Sequence, residues 1–121
     1  MRRAIAGIVV LGAVLTVVIG GAACQSSDVS RELGARCTTS DDCDDRCLSA
    51  SASYPDGFCT VVCKAADECP GDAACVEDDG GSCLFHCADD DGCSFLGETW
   101  RCRERVVRGQ PESKVKVCRG Q

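Results

Sequence analysis

Cysteine dominates the chemistry open to this chain: thirteen of its 121 residues are cysteines, against a single histidine. A cysteine can serve as nucleophile, metal ligand, redox dithiol, disulfide partner or lipid carrier, and its spacing discriminates among these roles. Structural zinc sites favour closely spaced pairs such as C-x2-C, whereas the closest pairs here are three or five residues apart. The same gap removes the C-x-x-C signature of thioredoxin-like redox proteins. His86, in CLFHC (83 to 87), has no evident nucleophile partner and is expected to be a half-exposed side chain near a bridge. The acidic runs DDCDD (41 to 45), EDD (77 to 79) and DDD (89 to 91) offer hard oxygen donors for calcium, but none has the D-x-[DN]-x-[DN]-G spacing of an EF-hand loop. They are expected to form a solvated face. With no G-x-S-x-G, H-E-x-x-H or P-loop, no catalytic residue, cofactor or metal ligand is assigned, and enzyme activity is not expected.

The elements that must position these cysteines are short of apolar material. Residues 25–121 contain fifteen Leu, Val and Phe and no Ile, about 15% of the segment, a level at which chains tend to stay disordered. Twelve cysteines in the same segment are about 12% of it, which marks a disulfide scaffold in an exported protein. Each bridge typically contributes about 2 to 4 kcal/mol, so six can replace a missing core.

Export is written at the other end. Arg2 and Arg3 precede a run from Ala4 to Ala23 without a charged residue, which is the pattern of a signal peptide over residues 1–23. Cys24 follows directly and is the odd cysteine: set aside, the rest form six pairs. This stretch resembles the lipobox of bacterial lipoproteins, in which the cysteine after the cut carries the lipid. Ala22 and Ala23 match its small residues, and Gly21 stands where an aliphatic residue is usual. The resemblance implies lipid attachment at Cys24, a membrane anchor through that lipid, and a tether over residues 24–33. Ordinary cleavage after Gly21, Ala22 and Ala23 and an uncleaved anchor both compete with it, since 20 apolar residues in a helix span about 30 Å.

Beyond the tether the cysteine spacing repeats. CTTSDDC (37 to 43), CKAADEC (63 to 69) and CADDDGC (87 to 93) are each C-x5-C, and two of them carry an acidic pair before the second cysteine. Each opens a quartet: Cys37, Cys43, Cys47 and Cys59; Cys63, Cys69, Cys75 and Cys83; Cys87, Cys93, Cys102 and Cys118. The fold class read from this is small and disulfide-rich: three tandem four-cysteine units (34–59, 60–83 and 84–118) with little regular secondary structure, short turns and a C-terminal β-hairpin. Pairing is expected within each quartet, first to third and second to fourth. Ser40 with Asp41 and Asp42 predicts a capped helical turn entering Cys43, and Asp67 with Glu68 a similar one at Cys69, ended by Pro70 and Gly71. The Gly and Asp clusters at 56–57, 78–81 and 89–92 read as loops, and only the C-terminal stretch alternates as a strand.

The C-x5-C frame with its acidic residue, and the closing GFC (57 to 59) and GGSC (80 to 83), resemble the cysteine-rich repeats of exported bacterial lipoproteins and, more distantly, the Dickkopf N-terminal cysteine-rich region. Dickkopf receptor binding is not implied, because no residue outside the cysteine frame supports it.

Charge divides the chain again. Residues 25–98 hold 17 acidic and four basic side chains, net −13, whereas residues 99–121 hold two acidic and seven basic, net +5. A hairpin over 99–118, turning at Gly109, Gln110 and Pro111, would alternate Arg101, Arg103 and Arg105 against Trp100 and Cys102, and Lys114 and Lys116 against Val115 and Val117. If the two apolar sets share a face, the five cations share the other, and either the acidic loops or an anionic envelope component must offset them. The overall acidic balance and the predicted export speak against nucleic acid. Together these features predict an exported, lipid-anchored binding or structural module at the cell envelope, at the outer membrane or cell surface, with its partner unknown. The competing expectation is a secreted soluble module such as a protease inhibitor.

Overall fold

The computed structural model describes residues 29–121, so the predicted signal segment and Cys24 lie outside the described residues. Cys37 is bonded to Cys47, Cys43 to Cys59, Cys63 to Cys75, Cys69 to Cys83, Cys87 to Cys102 and Cys93 to Cys118. Every bridge stays inside one quartet and runs first to third or second to fourth. Cα–Cα distances are 5.9, 5.9 and 5.8 Å for the first kind and 5.3, 5.5 and 5.4 Å for the second.

Six strands accompany the bridges: β1 (Arg46–Leu48), β2 (Phe58–Thr60), β3 (Ala73–Val76), β4 (Ser82–Phe85), β5 (Arg101–Val107) and β6 (Gln110–Arg119). In each quartet the third and fourth cysteines stand directly opposite one another on an antiparallel pair: Cys47 and Cys59, Cys75 and Cys83, Cys102 and Cys118. Opposite residues point to the same face of a ladder. Both sulfurs therefore reach the same C-x5-C loop, which closes in a short 3-10 turn at Ser40–Asp42, Ala66–Glu68 or Asp90–Leu96. Thr39, not Ser40, is the residue before the first of these turns.

Strands β1 and β2 form one small sheet; the other four form a second in the order β4-β3-β5-β6. The edges of this second sheet approach at one end, where His86 bridges Val117 and the Cys87 amide donates to the Lys116 carbonyl at 3.2 Å. Sequence pattern predicts none of β1 to β4, and their burial explains why. Strands β2, β3 and β4 are three or four residues long and buried at every position, so they have no polar face with which to alternate.

The core is thin and partly made of sulfur. Phe58, Leu84, Val76 and Val117 are fully buried, and Cys59, Cys63, Cys75, Cys83, Cys93 and Cys118 lie buried among the core residues. Phe58 packs edge-on to Phe85 at 6.0 Å and against Trp100 at 5.4 Å. Residues 29–33, expected in the tether, include chain that is docked. Leu33 is 3% exposed, Ser30 N–H donates to the Leu33 carbonyl at 2.8 Å, and Gly34 N–H donates to Cys59 at 2.8 Å. One apolar side chain able to enter the core is enough to hold this segment down.

The C-terminal hairpin differs from expectation in its turn and in its faces. Arg108 and Gly109 alone connect the strands, Val107 pairing with Gln110. Pro111 lies inside β6, an edge strand that tolerates its missing N–H. Because Cys102 lies opposite Cys118, Arg103 lies opposite Val117 and Arg105 opposite Val115. The arginines share a face with the valines, while Lys114 and Lys116 lie on the other, opposite Val106 and Glu104. The single face of five cations therefore does not form. The cause is covalent: Cys102 and Cys118 must both reach the loop that holds Cys87 and Cys93, and a one-residue slip would turn one of them away.

Candidate functional site

The acidic residue before the second cysteine has a local task. Asp42 accepts from the Thr38 and Thr39 amides at 2.8 and 3.1 Å, and Glu68 accepts from the Lys64 amide at 2.6 Å. Each carboxylate reaches back to the residue after the first cysteine and clasps the loop. The Thr38 and Thr39 hydrogen bonds, in that order, hold the Asp42 carboxyl below its ordinary value of 3.8. In the third loop Gly92 takes this position, and two other aspartates substitute: Asp89 accepts from Gly92 N–H and Asp90 from Cys102 N–H.

The glycines of the closing motifs are equally local. Gly57 and Gly81 stand at φ +80 and +110, each two residues before a fourth cysteine, and a Cβ on either would collide with the carbonyl oxygen of the first cysteine, Cys37 or Cys63. Only glycine lets the hairpin lie this close to the loop.

The quartets meet at Glu77–Gly81, the connection between β3 and β4. Asp78, its side chain 5% exposed, takes Arg105 at 2.8 Å and Arg119 at 3.1 Å. Glu77 accepts from the Gly109 amide at 2.8 Å and pairs with Arg108 at 2.7 Å, and these contacts, the amide first, lower its pKa from the ordinary 4.5. Asp79, held at φ 54, accepts from the Tyr54 hydroxyl at 2.6 Å. Burial first, then Asp79, raises the Tyr54 pKa well above its ordinary value of 10.0. From the first quartet Arg46 donates to the Asp79 carbonyl at 3.0 Å, the Gly81 carbonyl at 3.3 Å and Ser82 Oγ at 2.6 Å. Arg119 also lies over the Tyr54 ring at 5.6 Å. One five-residue loop of the second quartet is thereby gripped from both neighbours.

The expected anion-binding residues are divided by this arrangement. Arg105 is committed to Asp78, and Arg101 lies 3.8 Å from Asp90. Among the described residues Arg103, Lys114 and Lys116 form no ion pair within 4.0 Å, and they lie on two faces of the hairpin. Arg46, Tyr54, Arg108 and Arg119 do not stand out in the sequence.

An open cleft of about 440 Å³ lies beside this seam, lined by Arg46, Leu48, Ser49, Ser51, Tyr54 and Asp79. Its tyrosine hydroxyl and guanidinium nitrogens donate to atoms of the seam itself, apart from Arg46 Nε, which is buried without a partner. Three groups of cysteine sulfurs gather within 4.8 Å in each case, for example Cys63, Cys69 and Cys83. Each of those sulfurs is consumed in a disulfide and offers no thiolate. Among the described residues no helix is long and apolar enough to cross a membrane. In comparisons with family models, curated proteins and solved structures, the chain matches none.

Proposed function

We propose that the protein is an exported lipoprotein, anchored through Cys24, whose cross-linked domain is a non-catalytic binding or structural module at the cell envelope. The observation that carries this reading is the cysteine balance. The six bridges consume every described cysteine from Cys37 to Cys118, which leaves Cys24 for another chemistry, directly after a signal-like segment. We read the domain as three tandem copies of one unit, each a clasped C-x5-C loop doubly bridged to a hairpin, with the third hairpin lengthened. Bridges of this kind also require an oxidising compartment, in keeping with export.

The test is fractionation with intact mass. A mature chain that begins at a diacylated Cys24 and enters the detergent phase supports the reading, and Cys24→Ala should then release the protein or stall its processing. An unmodified Cys24 on protein recovered from the medium would favour the secreted soluble module instead.

A further inference from the structure

The docked N-terminal segment determines which side of the domain sits nearest an anchor at Cys24. Leu33 is buried and Gly34 is pinned beneath the Phe85 ring, so the first described residues, from Val29, are held against the body. A Cβ placed on Gly34 would lie 2.6 Å from the Phe85 ring and 3.5 Å from Val29 Cγ2, which puts those two side chains together. Phe95 packs edge-on against the same Phe85 ring at 5.2 Å. Of the three large apolar side chains exposed among the described residues, two are Val29 at 46% and Phe95 at 40%. They flank one buried aromatic ring, at the point where the chain leaves for Cys24.

Five residue steps separate Cys24 from Val29, a reach of at most about 18 Å. A lipid on Cys24 therefore keeps this apolar edge within one short leash of the bilayer, and the far side of the domain cannot face it without the leash wrapping around the body. We propose that Val29 and Phe95 form a membrane-apposed edge that seats the domain on lipid and directs the β5–β6 tip away from the surface. The inference rests on the anchoring reading above. Asp89 caps, and Asp90 and Asp91 open, the 3-10 segment that carries Phe95, so contact with zwitterionic lipid is favoured over an anionic surface. The 3-10 segment carrying Phe95 leads into the start of β5, and seven strand residues separate that point from the tip, about 20 Å. Lys114, opposite Val106 near that tip, is thereby held away from the lipid.

The test uses the full acylated chain in vesicles of phosphatidylethanolamine and phosphatidylcholine, part of it brominated in the acyl chains as a short-range quencher. Phe95→Trp and Gln110→Trp each add one indole, at the edge and at the tip, over the common background of buried Trp100. The emission added by Phe95→Trp should fall by about half or more, as for an aromatic group at the lipid interface, while that added by Gln110→Trp stays unchanged. Equal quenching at both positions, or none at either on protein shown by mass to carry the lipid, overturns the proposed seating and leaves the anchor intact. A mass showing Cys24 unmodified removes the anchor, and the seating falls with it.

Discussion

The interior of a quartet and the seam between quartets are held by different physics. Inside each quartet two disulfides tie loop to hairpin, and in the first two a single carboxylate clasps the loop backbone. At Glu77–Gly81 the grip is non-covalent and polar: Asp78 between two arginines, Glu77 on Arg108, and Asp79 accepting from the Tyr54 hydroxyl. Quartet shape is thus fixed covalently, while the quartets are held to one another by a shared apolar cluster, by the strand pairing of the second with the third, and by the charges of this loop. With so little apolar material, the packing of Phe58 on Phe85 and Trp100 that joins the three quartets is supplemented by polar contacts at Glu77–Gly81, a loop that side chains of both neighbouring quartets reach.

The largest expected loss comes from the longest bridge. Replacing Cys93 and Cys118 together by Ala removes a closure across 25 residues, for which loop entropy gives about 3.5 kcal/mol. Removing Cys37 and Cys47, separated by 10 residues, gives about 2.7 kcal/mol. Denaturant unfolding checks both; equal losses would mean that something other than chain closure sets the strength of a quartet.

Next stands the seam. Asp78→Ala leaves Arg105 and Arg119 without their shared partner, a loss of about 2 to 3 kcal/mol after allowance for the partial exposure of Arg105. All six bridges should still form, as thiol titration would show. A double-mutant cycle between Asp78 and Arg119 isolates the pair, and zero coupling there would show that charge does not hold this seam.

Gly81→Ala tests the covalent side from its backbone. The added methyl meets the Cys63 carbonyl, so a loss of more than about 1 kcal/mol is expected, with the same result for Gly57→Ala. A neutral outcome would show that hairpin and loop can separate.

Tyr54 is the sole tyrosine, so phenolate absorbance reports it alone. The folded state should hold its proton well above the ordinary 10.0. The unfolded chain ionises first, so this contribution to stability is present below about pH 10 and is lost as pH rises through the folded value. Tyr54→Phe should cost about 0.5 to 1.5 kcal/mol at neutral pH, the worth of one hydrogen bond.

The smallest effect lies on the acid side. Glu77 and Asp42 have lowered pKa values, so what they contribute is present above their ordinary values and is lost as pH falls through the folded ones. Glu77→Gln should flatten part of the decline in melting temperature between about pH 6 and about pH 3. If Asp42→Asn flattens it and Glu77→Gln does not, the clasp rather than the seam is the acid-labile region.

Cysteine spacing alone divided the twelve into three groups of four, because a bridge needs only its two sulfurs and a loop short enough to close, and both are written along the chain. The acidic residue of C-x5-C and the glycine two positions before the fourth cysteine were visible for the same reason: each acts within its own quartet. Even the faces of the C-terminal hairpin followed from the cysteines, since Cys102 and Cys118 must look the same way, although alternation read without that constraint put the five cations together. What the linear chain could not display was the seam. Arg46, Tyr54 and Arg119 reach a loop 25 to 41 residues away, and nothing in their local spacing differs from that of a solvated charge or a loop aromatic. The buried strands β2, β3 and β4 were hidden likewise, because a four-residue segment covered on both faces has no period to read. Tertiary structure decided these features, since only when the quartets pack does a charge run become a shared anion and an apolar residue near the tether become part of the core.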